Sequence, residues 1–267
     1  MYIEAVIVCV NYSDFLSHTL PTNKHLFNKV VVVTDTKDNN TKKVCDLHNV
    51  LCIQTDTIYT SDSKIPNKGV AINAGLEALD KKGWVVQLDA DIYLPTLTRT
   101  ILESYPLNVN YLYSIDRLMC NSYEDWYNYM HHNKKPVHEG WIYLHTDIFS
   151  IGTRMVQYHG DGYWPIGYFQ MWNPNHTLIN RYPQAEGYDR SDVQFLKLWK
   201  RAERHLIPDL LCIHLASDSH TMGQNWKGRS TPMFAPVVEP GRFEMFIQKI
   251  KMFMRKIFKN RKFKKCY

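Results

Sequence analysis

Trp84-Val85-Val86-Gln87-Leu88-Asp89-Ala90-Asp91 reads as a short buried strand that meets solvent on two carboxylates one residue apart. Paired acids repel, and the repulsion raises the pKa of one of them unless a divalent cation offsets it; the pattern therefore points to metal-assisted phosphate chemistry. The two-residue period of a strand puts both side chains on one side, so a bend is needed for them to address different partners. The plainer reading is a pair of solvated turn acids ahead of Pro95.

Upstream lie three more short apolar strands, Ala5-Val6-Ile7-Val8-Cys9-Val10, Lys29-Val30-Val31-Val32-Val33-Thr34 and Val50-Leu51-Cys52-Ile53. Between the first two, Phe15, Leu16, Thr19, Leu20 and Leu26 recur at helical spacing and Pro21 interrupts them, which predicts a helix followed by a loop. Between the third and the Trp84 strand, Lys68 to Leu79 predicts a helix with Val70, Ala74 and Ala78 along its packed face, closed by Lys81-Lys82-Gly83. This alternation predicts βαβ units, hence an α/β fold on a mostly parallel central sheet. Thr34-Asp35-Thr36 then falls at the carboxyl end of the second strand, and ligands of open α/β sheets bind outside those ends. Taken alone, Asp35 serves equally as a capping or turn acid.

Downstream of Pro95 the pattern changes. A helix over 97–104 leads into a segment dense in Tyr, Trp and His up to about Pro174, with short strands at Tyr111-Leu112-Tyr113 and Trp141-Ile142-Tyr143-Leu144. Such stretches commonly line carbohydrate or aromatic ligands, and Trp164 and Trp172 are candidates for an acceptor platform or, equally, for core. A second helix is expected over 190–204 with Val193, Phe195, Leu196, Leu198 and Trp199 apolar, then a strand at Leu211-Cys212-Ile213.

The 267 residues suit one large α/β domain, and 45% hydrophobic with 22% charged residues is ordinary for a globular chain. No apolar stretch approaches the roughly 18–20 residues of a membrane-spanning helix. Met1-Tyr2-Ile3-Glu4 lacks a basic leader, so a cytoplasmic location is expected. The six cysteines include no C-x-x-C pair, which argues against zinc and a disulfide framework, and the sequons at Asn11, Asn39 and Asn175 then carry little meaning. Charge is uneven: residues 241–267 hold ten Lys or Arg against Glu244 alone, a net of +9 that leaves −3 on residues 1–240. Phe243, Phe246, Ile247, Ile250, Phe253, Met254, Ile257 and Phe258 fall at helical spacing among those bases. This tail reads as an amphipathic helix for an anionic membrane surface, as a helix docked on the protein's own body, or as an arm for nucleic acid.

The order strand, Thr34-Asp35-Thr36, strand, Lys68-Gly69-(x)3-Asn73-x-Gly75, then Val85 to Asp91 resembles the nucleotide-sugar half of the GT-A-fold glycosyltransferases, especially the family-2-like group with a DxD motif. The resemblance covers residues 3 to 95 and is looser beyond. It implies a single Rossmann-like nucleotide-diphospho-sugar transferase domain over 1–240, with a nucleotide-sugar half at 1–95, an acceptor half at 96–240 and the basic amphipathic tail at 241–267. By position, it places Asp35 on the uracil or ribose, Lys68, Asn73 and Gly75 near the nucleotide, Asp89 facing the ribose and sugar, and Asp91 on a Mn²⁺ or Mg²⁺ held between diphosphate oxygens.

The resemblance further implies a distant histidine as a third metal contact, for which His214 is the candidate, with a core histidine as the other reading and His220 as a second candidate. Lys227 and Arg229 could close over the diphosphate. The expected general base is Asp192, with Asp189 as its rival; Ser191 and Asp192 equally suit the start of a helix. The function implied is metal-dependent transfer of a sugar from a UDP-linked donor to a hydroxyl of a glycan or lipid-linked acceptor, with inversion, at the inner membrane face. The alternatives are a glycosyltransferase acting on hydroxylated bases of DNA and a non-catalytic nucleotide-sugar-binding module.

Overall fold

The computed structural model describes residues 1–59, 67–120, 122–132, 158–160, 162–184, 190–215 and 234. All belong to one compact unit, Met1–Phe234. The expected strand over 141–144 and the tail lie outside the described residues.

The four strands read from the sequence are β1 (Ile3–Val8), β2 (Lys29–Thr34), β3 (Leu51–Gln54) and β4 (Trp84–Asp89). They form a contiguous parallel block in the order β3-β2-β1-β4. Their continuous apolar character follows from burial on both faces: Val6, Val8, Val31, Val33 and Val85 pack into one core cluster, and the alternate residues Ala5, Ile7, Val32 and Val86 are buried as well.

Past β4 the sheet becomes mixed, although four of its seven strand pairings among the described residues are parallel, as expected. β5 (Ile92–Tyr93), β6 (Leu112–Cys120), β9 (Phe169–Trp172) and β10 (Arg204–Leu215) extend it to eight strands in the order β3-β2-β1-β4-β9-β6-β10-β5. β9 runs antiparallel to both β4 and β6, β10 is parallel to β6, and β5 is antiparallel to β10. Parallel neighbours require helical crossovers, and the sequence supplies that alternation only up to about residue 79. A separate two-stranded ribbon joins β7 (Tyr158–His159) to β8 (Gly162–Tyr163).

The helices depart from the sequence reading in several places. α1 (Ser13–Asn23) contains Pro21 and runs on to Asn23, with only the one ladder bond of the missing proline N–H lost. α2 (Asn39–Leu47) begins at Asp38, whose carboxylate accepts from Thr41 N. In α3 (Lys68–Glu77) the buried face is Ala71, Ile72, Gly75 and Leu76, and not the expected Val70, Ala74 and Ala78. Following α4 (Thr98–Ser104), α5 (Tyr123–His132) and α6 (Pro174–Thr177), the helix expected over 190–204 is only α7 (Ser191–Leu196). Phe195, Leu196 and Trp199 are core, but Leu198 is exposed, and from Arg204 the chain pairs with β6 instead.

Gly75 sets how closely α3 approaches the sheet. A Cβ there would lie 2.4 Å from Val6 Cγ1 and 3.0 Å from Val33 Cγ2, and both valines are fully buried. Helix propensity favours alanine over glycine by about 1 kcal/mol. Overpacking against β-branched side chains costs about 1–3 kcal/mol and wins. Gly75→Ala is expected to lower Tm by about 2–8 °C with unchanged far-ultraviolet dichroism; thermal denaturation checks this, and a Tm at or above wild type would refute the packing account.

Candidate functional site

The carboxyl ends of β2, β1 and β4 form one edge of the sheet. Asp35 follows β2 directly and Asp89 ends β4, where it pairs with Val8 of β1. Asp35 Oδ1 accepts from Lys37 N at 2.6 Å, and the half-buried Tyr59 hydroxyl hydrogen-bonds the same carboxylate. Burial, reinforced by that bond, pushes the Tyr59 phenol well up, so it stays a neutral donor. Neighbouring Asp38 is wholly structural: it accepts from Asn11 N, Thr34 Oγ1, Thr41 N and Thr41 Oγ1.

Lys68, at the start of α3, places Nζ 2.5 Å from Asp89 Oδ1 and 3.3 Å from the Gly167 carbonyl. Gln87, two residues before Asp89, donates to the same Oδ1 from Nε2 at 2.9 Å. On the far side of Gly167, its backbone N–H donates to Asp192 Oδ2 at 2.8 Å, while Val193 N donates to Asp192 Oδ1 at 2.7 Å. Gly167 is required at this point, since a Cβ would lie 2.7 Å from Asp192 Cβ and 2.8 Å from its Oδ2. One glycine thus joins the ammonium that holds Asp89 to the carboxylate of Asp192. Burial works against the Lys68 charge, but Asp89 and Asp192 hold its pKa above the ordinary value.

The bend that the sequence required is present. β4 stops at Asp89, Ala90-Asp91 turn the chain, and Ile92 begins β5 at the opposite end of the strand order. Asp91 Oδ2 lies 3.2 Å from His214 Nε2, His214 Nδ1 lies 3.0 Å from Arg117 Nη1, and the Arg117 guanidinium stacks 4.4 Å above the Tyr168 ring. A guanidinium only donates, so Nδ1 accepts and the Nε2 proton is directed at Asp91. The two acids differ electrostatically. Burial pushes Asp89 up despite Lys68, whereas at Asp91 burial is outweighed by His214, which holds that carboxyl below its ordinary range.

Asp91 fits a cation. Its Oδ1 is buried, belongs to the more acidic carboxyl, and has no hydrogen-bond partner among the described residues. His214 fits by position; ligation through Nε2 needs the proton on Nδ1, and Arg117 must then give way. Among the described residues no three His, Cys, Asp or Glu side chains converge as a complete ligand set, so a cation at Asp91 would take further ligands from water or a bound substrate.

The structure therefore brings together Lys68, Asp89, Asp91, Asp192 and His214, with Asp35 on the same sheet edge two strands from Asp89. It does not place Asn73 and Gly75 among them. Asn73 exchanges two hydrogen bonds with the Tyr182 backbone, at 2.9 and 2.7 Å, and Gly75 faces the sheet; both serve packing. Trp172 is fully buried and donates to Ile179 O, so it is core and no platform, and Trp164 packs against the same core. Lys227, Arg229, His220 and Asp189 lie outside the described residues. Arg117, Gln87, Gly167 and Tyr59 were missed. A buried glutamine inside an apolar strand and an arginine in Leu112-Tyr113-Ser114-Ile115-Asp116-Arg117-Leu118 were the available signals.

No protein-family model matches this chain, and no curated protein matches it. Among solved structures it is similar to mannosyl-3-phosphoglycerate synthase from Rubrobacter xylanophilus, with 12% identity over 84% of this chain and 68% of that one, at a TM-score of 0.49. It is likewise similar to glucosyl-3-phosphoglycerate synthase from Mycobacterium tuberculosis, with 13% identity over 84% and 74% of the two chains and a TM-score of 0.48. Another structure of that enzyme, in complex with Mn²⁺ and UDP-glucose, gives 12% identity over 84% and 72% at 0.48. A mycobacterial protein shares 14% identity over 80% of this chain and 65% of its own, so the chain spans about two thirds of that protein's length.

Proposed function

We propose that this chain is a metal-dependent glycosyltransferase of GT-A type that moves a sugar from a nucleoside-diphosphate donor, UDP-linked, to a hydroxyl acceptor with inversion. The observation that carries the reading is the buried Asp91 Oδ1, without a partner among the described residues, two residues from the Lys68-bound Asp89 and beside His214. Asp91, joined by His214, would hold a Mn²⁺ or Mg²⁺. Such an ion, when bound, supplies Lewis-acid neutralisation of charge on a diphosphate leaving group.

The chain's own groups have separable tasks. Asp35 and Tyr59, at the end of β2, offer an acceptor and a donor to a nucleoside. Asp89, fixed by Lys68 and Gln87, presents its second oxygen toward ribose and sugar hydroxyls. Asp192 is the base: each of its oxygens takes one backbone N–H, which fixes the carboxylate and leaves lone pairs for the acceptor proton. Lys227 and Arg229 would contribute positive charge to the diphosphate. The acceptor hydroxyl is assigned to a glycan or lipid-linked saccharide on the basic amphipathic pattern of residues 241–267.

Two outcomes are expected. Calorimetry with UDP should show binding that strengthens with Mn²⁺ in the wild type and loses that dependence in Asp91→Ala; donor hydrolysis should vanish with EDTA, and activity untouched by chelation would remove the metal. Asp192→Asn should lower transfer by about 10²–10⁴-fold while UDP affinity stays within about threefold, as loss of a general base requires. Equal loss of both would instead make Asp192 a structural residue.

A further inference from the structure

The turn that carries Asp91 is held by helix α1. Thr19 Oγ1, fully buried, donates to the Ala90 carbonyl at 2.7 Å. One turn further along α1, Asn23 Nδ2 donates to the Ile92 carbonyl at 2.7 Å, and its Oδ1 accepts from Leu94 N at 3.0 Å. The carbonyl between them, that of Asp91, accepts from Leu215 N at 2.9 Å. Three successive carbonyls therefore each have a donor, from α1, from the end of β10 and from α1 again. Fixing three consecutive peptide planes fixes the Cα–Cβ direction of Asp91, and with it the aim of the unpartnered Oδ1.

The spacing on α1 follows from helix geometry. Residues 19 and 23 are one turn apart and lie on the same face, so a single helix face meets the carbonyls on either side of Asp91. Neither residue would be selected for packing alone, because a valine or leucine fills the same volume without a polar atom to satisfy.

We propose that Thr19 and Asn23 are positioning residues for the cation site: they clamp the Ala90-Asp91-Ile92 backbone so that Asp91 is held ready before the ion arrives. This rests on the proposed metal role of Asp91. Removing an outer partner of a metal ligand lowers metal affinity by about 10–100-fold, through a ligand that stays in place but loses its aim.

The test is Mn²⁺ binding to the full chain with saturating UDP, followed by the electron paramagnetic resonance signal of free Mn²⁺, with Tm measured on the same samples. Thr19→Val keeps the shape and deletes the donor; its Mn²⁺ dissociation constant should rise about tenfold or more. Thr19→Ser should restore it to within about twofold of wild type. Glu4→Gln is the control, since Glu4 is fully buried and holds the Asp80 and Lys81 amides of a turn outside the site. It should lower Tm without moving Mn²⁺ affinity. Asn23→Ser provides a second, independent route to the same loosening if Thr19→Val does not fold. Wild-type Mn²⁺ affinity in a folded Thr19→Val or Asn23→Ser chain overturns the clamp and leaves the metal reading standing. A wild-type chain that takes up no Mn²⁺ overturns both.

Discussion

Ala90 and Asp91 alone separate the fourth strand of the sheet from the eighth. In a flat sheet those strands would lie about 19 Å apart, four spacings of about 4.8 Å. Three residue steps from Asp89 to Ile92 reach at most about 11 Å. The sheet has to curl until β5, at its far edge, comes round to the end of β4. That single covalent constraint brings β10 across the carboxyl edge of the parallel block, and His214 is the residue of β10 that arrives there, paired with Ile92. Without the curl, Asp89 on β4 and His214 on β10 would lie three strand spacings, roughly 14 Å, apart.

The curl also creates an electrostatic problem that the site solves locally. Asp89, Asp91 and Asp192 come together below the surface, where an uncompensated carboxylate is costly. Lys68 answers Asp89 directly and reaches Asp192 through the Gly167 backbone, while His214 and Arg117 stand behind Asp91. The compensation is uneven. Asp89 has two side-chain donors on one oxygen, whereas Asp91 keeps one oxygen with none. Gln87 Oε1 and Arg117 Nε in the same network are also buried without partners among the described residues, and of these open atoms Asp91 Oδ1 is the one on a carboxylate.

Legibility differed sharply between the two halves. The parallel block could be read because strands buried on both faces carry runs such as Val30-Val31-Val32-Val33, a local signal that neighbours do not alter. Beyond Pro95 the strands are interrupted by Gln170, Asp116 and Arg117, polar residues whose burial is possible only because partners come from elsewhere. α7 shows the same limit: Phe195, Leu196 and Trp199 fit a longer helix, but the residues from Arg204 onward find better hydrogen-bond partners in β6. Asn73 and Gly75 were recognisable as special positions and mistaken in purpose, because a motif records that a residue type matters and says nothing about which neighbour it meets.

Sequence alone determined the α/β class, the four parallel strands and the ends at which Asp35, Lys68, Asp89 and Asp91 emerge. Those features follow from periodicity and chain order, which are properties of contiguous residues. Tertiary structure alone decided the antiparallel insertion of β9, the meeting of Asp91 with His214 across 123 positions, the entry of Arg117 behind it and the hold of α1 on the turn. The physical reason is that hydrogen bonds between residues 71 to 123 apart depend on how the sheet closes, and closure is fixed by reach and packing that no local pattern encodes.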